Sequence, residues 1–163
     1  MRRAFQHLLY FPWRMRQSFP RPVLKAIEQE IAASERHHSG ELRVAIEGHL
    51  DVAQILHGTT ARQRAQEVFS LLRVWDTEHN SGVLIYLLLA ERRVEIVADR
   101  GIDAKVGPEF WEQVCLHMRD AFQRGEFEAG VLQGIRTIDA RLQEHFPAAA
   151  TNQNELSDRP LLL

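Results

Sequence analysis

The stretch GVLIYLLLAERRVEIVADRGID, residues 82–103, decides the fold. Its first part, Val83 to Leu89, is apolar at odd and even positions alike. A strand with that pattern has both faces buried and needs cover on each side. The run is far too short for a membrane-spanning helix, which needs about 20 apolar residues. Ala90-Glu91-Arg92-Arg93 then turns the chain, and Val94-Glu95-Ile96-Val97-Ala98 brings it back. The whole reads as a β-hairpin with 83–89 as the central strand.

Upstream, Glu41–Glu47 alternates polar and apolar residues, which marks a strand with one apolar face. Residues 61–75 place Ala61, Ala65, Val68, Phe69, Leu72 and Trp75 on one side of a helix, capped by Thr59 or Thr60. A helical crossover between two strands makes them parallel and right-handed. The hairpin makes the third strand antiparallel. Charges on one face of 42–47 and 93–98 make those strands flanking. Another helix spans 21–36, with Pro22 in its first turn and Val23, Ile27 and Ile31 on its apolar face. A helix from Pro108 carries Trp111, Val114, Cys115, Met118 and Phe122. A last one, 126–146, carries Val131, Ile135, Ile138 and Leu142. The expected fold is α/β: a three-layer α/β/α sandwich around a small mixed sheet of three or four strands. The chain divides into a basic aromatic arm (1–20), one domain (21–146) and a tail expected to be disordered (147–163).

A single cysteine, Cys115, excludes an internal disulfide, and no Cys/His spacing suits a zinc module. No stretch reads as a signal peptide: Leu8-Leu9-Tyr10-Phe11 is short and cut by Pro12. The net charge of −2 hides an asymmetry. Residues 1–27 hold six bases and no acid, which leaves the rest at −8. An acidic body excludes a nucleic-acid-binding domain by composition. In the arm, Phe11 and Trp13 stand beside Arg14 and Arg16, a combination suited to a membrane protein or an anionic membrane surface. The other reading is that the arm's aromatics fold back over the domain.

The topology gathers polar loops at one end of the sheet. The starts of the two parallel strands and the finish of the third share that end. Three loops meet there: 37–41, 76–82 and 99–105. Asp76, Glu78, Asp99 and Asp103 are oxygen ligands suited to a hard cation, Ca2+ or Mg2+. Arg100 and Lys105 are the anion-binding candidates. His38 and His79 are the acid/base candidates. The plain alternative is a solvated rim of loop charges with no ligand.

The ordered set Glu41–Glu47, Ala61–Trp75, Asn80-Ser81-Gly82-Val83-Leu84, Glu91-Arg92-Arg93-Val94-Glu95-Ile96 and Arg100-Gly101-Ile102 resembles the TPM domain family. That family is named for a thylakoid lumen protein, a photosystem II repair factor and a nematode receptor modulator. The resemblance covers about residues 21–146 and implies an α/β/α sandwich. It implies acid phosphatase activity as in some members or divalent-metal binding as in others, alongside many members with no demonstrated activity. Typical members carry a signal peptide and often a membrane span; this chain resembles the soluble bacterial subgroup, which implies a cytoplasmic place at the inner face of the membrane. One departure stands out: Asp103 comes early, and Lys105 sits where the family runs on to an acid. Two functions follow as expectations. One is a non-catalytic binding or assembly module held to a membrane surface or membrane protein by the arm. The other is a divalent-metal-dependent phosphatase-type hydrolase at the 76–82/99–105 end. No motif is diagnostic of catalysis, and Cys115, mid-helix on an apolar face, reads as packing.

Overall fold

The computed structural model describes residues 2–8, 10–148 and 154–163. In chain order its elements are α1 (Arg2–Leu8), α2 (Pro12–Ser18), α3 (Arg21–Ser34), β1 (Glu41–Glu47), α4 (Val52–Leu56), α5 (Ala61–Leu71) and β2 (Gly82–Leu88). A single 3₁₀ turn, Leu89–Glu91, leads to β3 (Arg93–Ala98). Then come α6 (Arg100–Val106), α7 (Pro108–Gln123), α8 (Phe127–His145) and the short β4 (Leu161–Leu162). The sheet runs β3-β2-β1-β4. β1 and β2 are parallel, in register from Glu41↔Gly82 to Glu47↔Leu88. β2 and β3 are antiparallel, from Val83↔Ala98 to Leu88↔Arg93.

Every residue of β2 is buried. Its odd positions Val83, Ile85 and Leu87 join Leu42, Val44 and Ile46 of β1 against α3, α7 and α8. Its even positions Leu84, Tyr86 and Leu88 join Ala45 and meet α5 through Ala61, Ala65 and Val68. The sandwich is therefore mixed and three-layered, as the doubly apolar run requires. Helix starts follow local chemistry. Thr60 and Gln63 form a capping box on α5, as Asp51 and Gln54 do on α4.

Three expectations need correction. The helix expected to reach Trp75 stops at Leu71, and Arg73 takes a left-handed conformation at φ 54°. That turn puts Val74 into the core and leaves Trp75 47% exposed. The stretch expected as a loop at 99–105 is helical, because Asp99 caps α6 by accepting from the Arg100 N–H. The tail is not disordered throughout. Residues 154–163 follow the β1 edge, with Leu161 and Leu162 paired to Ala45 and Ile46; residues 149–153 of that expected tail lie outside the described residues. The arm takes parts of both readings. Phe19 is buried edge-on against Phe122 and Phe127. His7 is buried too, accepting from the Leu50 N–H at Nδ1 and facing Glu91 through Nε2 at 2.8 Å. Phe11 and Trp13 stay exposed.

The α5 side of β1 carries Glu41, Arg43 and Glu47, all buried. Burying a carboxylate requires partners. The Tyr86 hydroxyl donates to Glu47 Oε2 at 2.5 Å, and Arg64 grips both oxygens through Nε and Nη2 at 2.9–3.2 Å. The Arg64 and Tyr86 pKa values both rise: Arg64 chiefly through its Glu47 hydrogen bonds, Tyr86 chiefly through burial. Tyr86→Phe removes one donor and is expected to destabilise by about 1 kcal/mol. Arg64→Met strands the Glu47 charge and is expected to destabilise by about 3 kcal/mol or more. Urea denaturation checks the order; equal losses would show that Glu47 is not held as an ion.

Candidate functional site

The parallel pairing of β1 and β2 places Glu41 beside Gly82, and β3 finishes at Ala98 beside Val83. The three loops meet at this end of the sheet. Ser81 Oγ donates to the Ser39 carbonyl at 3.3 Å, and the Ser81 N–H donates to Thr77 Oγ1 at 3.1 Å. The Ile102 N–H donates to the Asn80 carbonyl at 3.3 Å, and the Asp99 N–H to the Gly82 carbonyl at 2.8 Å. Two glycines make this approach possible. A Cβ on Gly82 would lie 1.9 Å from the Val74 carbonyl oxygen, and one on Gly101 2.5 Å from that of Asn80. The rim is thus a backbone-to-backbone junction.

The candidate residues take separate roles within it. Asp76 pairs with Arg73 at 3.7 Å on the exposed side of the turn. Glu78 is exposed, and its N–H donates to the Glu155 carboxylate. Asp99 caps α6 through Oδ1, while its Oδ2 is buried with no hydrogen-bond partner among the described residues. Asp103 accepts from Trp111 Nε1 at 2.8 Å, which ties α6 to α7. Among the described residues, no group of three or more His, Cys, Asp or Glu could hold a metal ion. Arg100 and Lys105 are both exposed on α6, but five residues apart they project about 140° from each other. Lys105 lies over the Phe146 ring at 5.2 Å. His79 is exposed beside Glu78. His38 is fully buried: it accepts from the Gly40 N–H at Nδ1 and faces Asp139 through Nε2 at 3.3 Å. Burial lowers its pKa against the pull of Asp139. A side chain so enclosed is out of reach of a substrate arriving from solvent, so its place is structural.

The sequence model of the TPM domain matches residues 17–141. The chain belongs to the TPM domain family. Among solved structures, the BA42 protein of the psychrophilic bacterium Bizionia argentinensis is similar, at TM-score 0.76 and 28% identity. That match covers 87% of this chain and 93% of BA42. The N-terminal domain of a protein from P. gingivalis aligns at TM-score 0.49 and 16% identity, over 75% of this chain and 93% of that one. Curated protein sequences return no match.

The ordered TPM-type loops say little about two carboxylates: Glu41, which the sequence places in the 37–41 rim loop without a role, and Glu35, which sequence reasoning left out of the site. Glu41 opens β1 at the rim and accepts from the Glu155 and Leu156 N–H groups at 3.0 and 3.1 Å. It thereby fastens residues 154–163 to the sheet. Glu35, one residue beyond α3, is buried and accepts from the Leu42 N–H at 3.1 Å. In sequence it looks like any helix-end surface charge. Burial, aided by the Glu41 charge, pushes the Glu35 pKa up to about 9. Burial pushes Glu41 up to about 7 against those two N–H bonds.

These shifts set a pH dependence. Both groups bind protons more tightly in the folded state, so their contribution to stability is full below 4.5, their ordinary value, and falls as pH rises. The Glu41 part is lost by about pH 7 and the Glu35 part by about pH 9. Urea titrations across that range are expected to show declining stability. Glu35→Gln keeps an acceptor for Leu42 and is expected to flatten the upper half of the decline. Parallel profiles for the two proteins would remove Glu35 from this account.

Proposed function

We propose that this TPM domain is a non-catalytic binding module that docks on an anionic membrane surface through its N-terminal arm. One observation carries the reading. Leu8, Phe11 and Trp13 are 69%, 52% and 58% exposed, beside exposed Arg14 and Arg16, in a stretch that contains no acid. Exposed aromatics with interleaved arginines suit the headgroup layer, where a ring and a cation are both well solvated. The Arg14 guanidinium sits 5.8 Å from the Trp13 ring centroid, so charge and ring present together. Phe19 and His7 anchor the segments around them, which lowers the ordering cost of docking. No helix among the described residues is long and apolar enough to cross a membrane, so attachment of this kind is peripheral.

The rim supports catalysis less well, since three of its four candidate carboxylates hold the junction or neighbouring side chains. A second reading, a divalent-metal-dependent phosphatase-type site at 76–82/99–105, draws on the buried Asp99 Oδ2 that lacks a partner. Asp99→Asn keeps the helix cap and removes the charge. If a cation sits there, millimolar calcium or magnesium raises the melting temperature of the wild type and leaves that of Asp99→Asn unchanged. A wild type that does not respond to either metal sinks the second reading.

Vesicle sedimentation tests the first. The full chain is expected to sediment with phosphatidylglycerol vesicles at low salt and to be released as salt rises. Phe11→Ser combined with Trp13→Ser is expected to bind at least about tenfold more weakly, because two aromatics that would enter the headgroup layer are lost. A wild type that stays in the supernatant at low salt ends the membrane reading.

A further inference from the structure

The end of the sheet opposite the rim, where β1 finishes at Glu47 and β3 begins at Arg93, gathers four segments. The 3₁₀ turn is tied there by the Ala90 N–H, which donates to the Gly48 carbonyl at 2.9 Å. α1 is tied there through Glu91 and through the Leu50 N–H, which donates to His7 Nδ1 at 3.0 Å. Residues 161–163 are tied there by the Gly48 N–H, which donates to the Leu163 oxygen at 3.4 Å. Tyr10 also closes on this point, since a Cβ on Gly48 would lie 3.1 Å from its ring. α4 begins four residues after Gly48, at Val52.

Ten large apolar side chains are exposed among the described residues, and seven of them stand on these segments. Three belong to the arm: Leu8, Phe11 and Trp13. The other four do not. Val52 and Leu56 of α4 are 62% and 81% exposed, and Leu162 and Leu163 are 41% and 42% exposed. Exposed apolar residues scattered singly need no explanation, but a gathering at one end does. α4 sharpens the point. The reciprocal Asp51–Gln54 capping box fixes its start, yet none of its residues is buried. Val52 and Leu56 are four apart, so they share one face. The helix thus holds two aliphatic side chains in water, a cost that contact with an apolar layer removes.

The charges at this end favour an anionic occupant. Arg14 and Arg16 are exposed on α2, and Arg92 and Arg93 are exposed at the hairpin turn. The carboxylates on the same segments are engaged: Asp51 on its helix cap, Glu91 on Arg3 and His7, Glu47 on Arg64 and Tyr86. A second copy meeting this face through its own would set four exposed arginines against four, which opposes self-pairing.

We infer that this whole end of the domain is a lipid-contacting face, with Val52, Leu56, Leu162 and Leu163 entering the headgroup–acyl boundary beside the arm and Arg92 and Arg93 meeting anionic headgroups. The inference rests on the membrane reading of the arm and extends it to α4, the hairpin turn and residues 161–163. It also fixes an orientation. β1 and β2 point their finishing ends at the bilayer, and the rim stands about 20 Å from it, the length of a seven-residue strand.

The test uses the full chain and phosphatidylglycerol vesicles. Val52→Ser combined with Leu56→Ser leaves the arm intact and is expected to weaken sedimentation by about tenfold. Its melting temperature is expected to stay unchanged, because both side chains are exposed in the free protein. Leu71→Ser, which alters a leucine 73% exposed on the last residue of α5, is expected to bind as the wild type does. Arg92→Gln combined with Arg93→Gln is expected to flatten the salt dependence. For orientation, a polarity-sensitive fluorophore on Leu56→Cys, in a Cys115→Ala background, is expected to shift to the blue on vesicles. The same probe on Glu78→Cys, at the rim, is expected not to shift. Binding that is lost in the Phe11→Ser/Trp13→Ser protein but unchanged in Val52→Ser/Leu56→Ser overturns this inference and leaves the arm reading standing. A wild type that stays in the supernatant overturns both. A blue shift at Glu78→Cys equal to that at Leu56→Cys overturns the orientation and the inference with it. So does a dimer that Val52→Ser/Leu56→Ser makes monomeric, which would assign the face to a second copy.

Discussion

A strand with no exposed position constrains everything around it. β2 must find hydrogen-bond partners on both edges and apolar cover on both faces. β1 and β3 supply the edges. α5 covers one face, and α3, α7 and α8 cover the other. The parallel partner forces a crossover, and α5 is that crossover. The antiparallel partner forces a return, and the tight turn at Leu89–Arg92 is that return. The junction of the three loops then follows without further choice, because strand direction decides which ends meet. What remains for local chemistry is to let the backbones approach, and Gly82 and Gly101 do so where any side chain would strike a carbonyl.

The sheet buries polar groups along with apolar ones, and carboxylates organise the result. Glu47 is held by Tyr86 and Arg64 near the finish of β1. Glu41 holds residues 155 and 156 at its start. Glu91 holds Arg3 and His7 of the arm. Burial opposes ionisation of Glu91, but the hydrogen bonds from Arg3 and His7 outweigh it and keep its pKa below the ordinary value. Glu41 has only backbone donors, and its pKa moves up instead. The difference is charge: a cationic partner compensates desolvation in a way that neutral amides do not.

Much of this was legible before the structure. The doubly apolar run at 83–89 announces a central strand because burial of both faces leaves no room for polar residues. The order of strand, helix and hairpin then sets the pairing. Legibility ended where a residue's role depends on contacts distant in sequence. Nothing near Arg73 announces a left-handed turn, so the helix that ends at Leu71 looks as if it continues to Trp75. The pairing of Leu161 and Leu162 with β1 rests on an edge that no local pattern reveals. Glu35 and Arg43 look like surface charges until the strand edge and the 154–163 segment enclose them. At the candidate site, the convergence of loops could be read from strand direction, whereas the roles of its carboxylates could not. Asp103 had no reason in sequence to be the acceptor for Trp111, eight residues on.

The division of labour between rim and termini follows from this. At the rim, the loop backbones bond one another, Asp99 caps a helix, Asp103 holds a tryptophan and His38 is sealed inside. Most of these polar groups satisfy one another, so recruiting them to a ligand would cost fold stability; Asp99 Oδ2, buried without an acceptor or donor contact among the described residues, is an exception. The segments laid over the sheet differ. Each is fastened by a carboxylate, Glu91 for the arm and Glu41 for residues 154–163, and each leaves groups unspent beside its fastening. The arm leaves apolar rings in water next to arginines. The 157–162 segment lies over Arg43, whose Nη1 has no acceptor among the described residues. In this TPM domain the exposed rings of the arm and the buried Arg43 guanidinium of β1 both lie beside a segment that wraps the sheet.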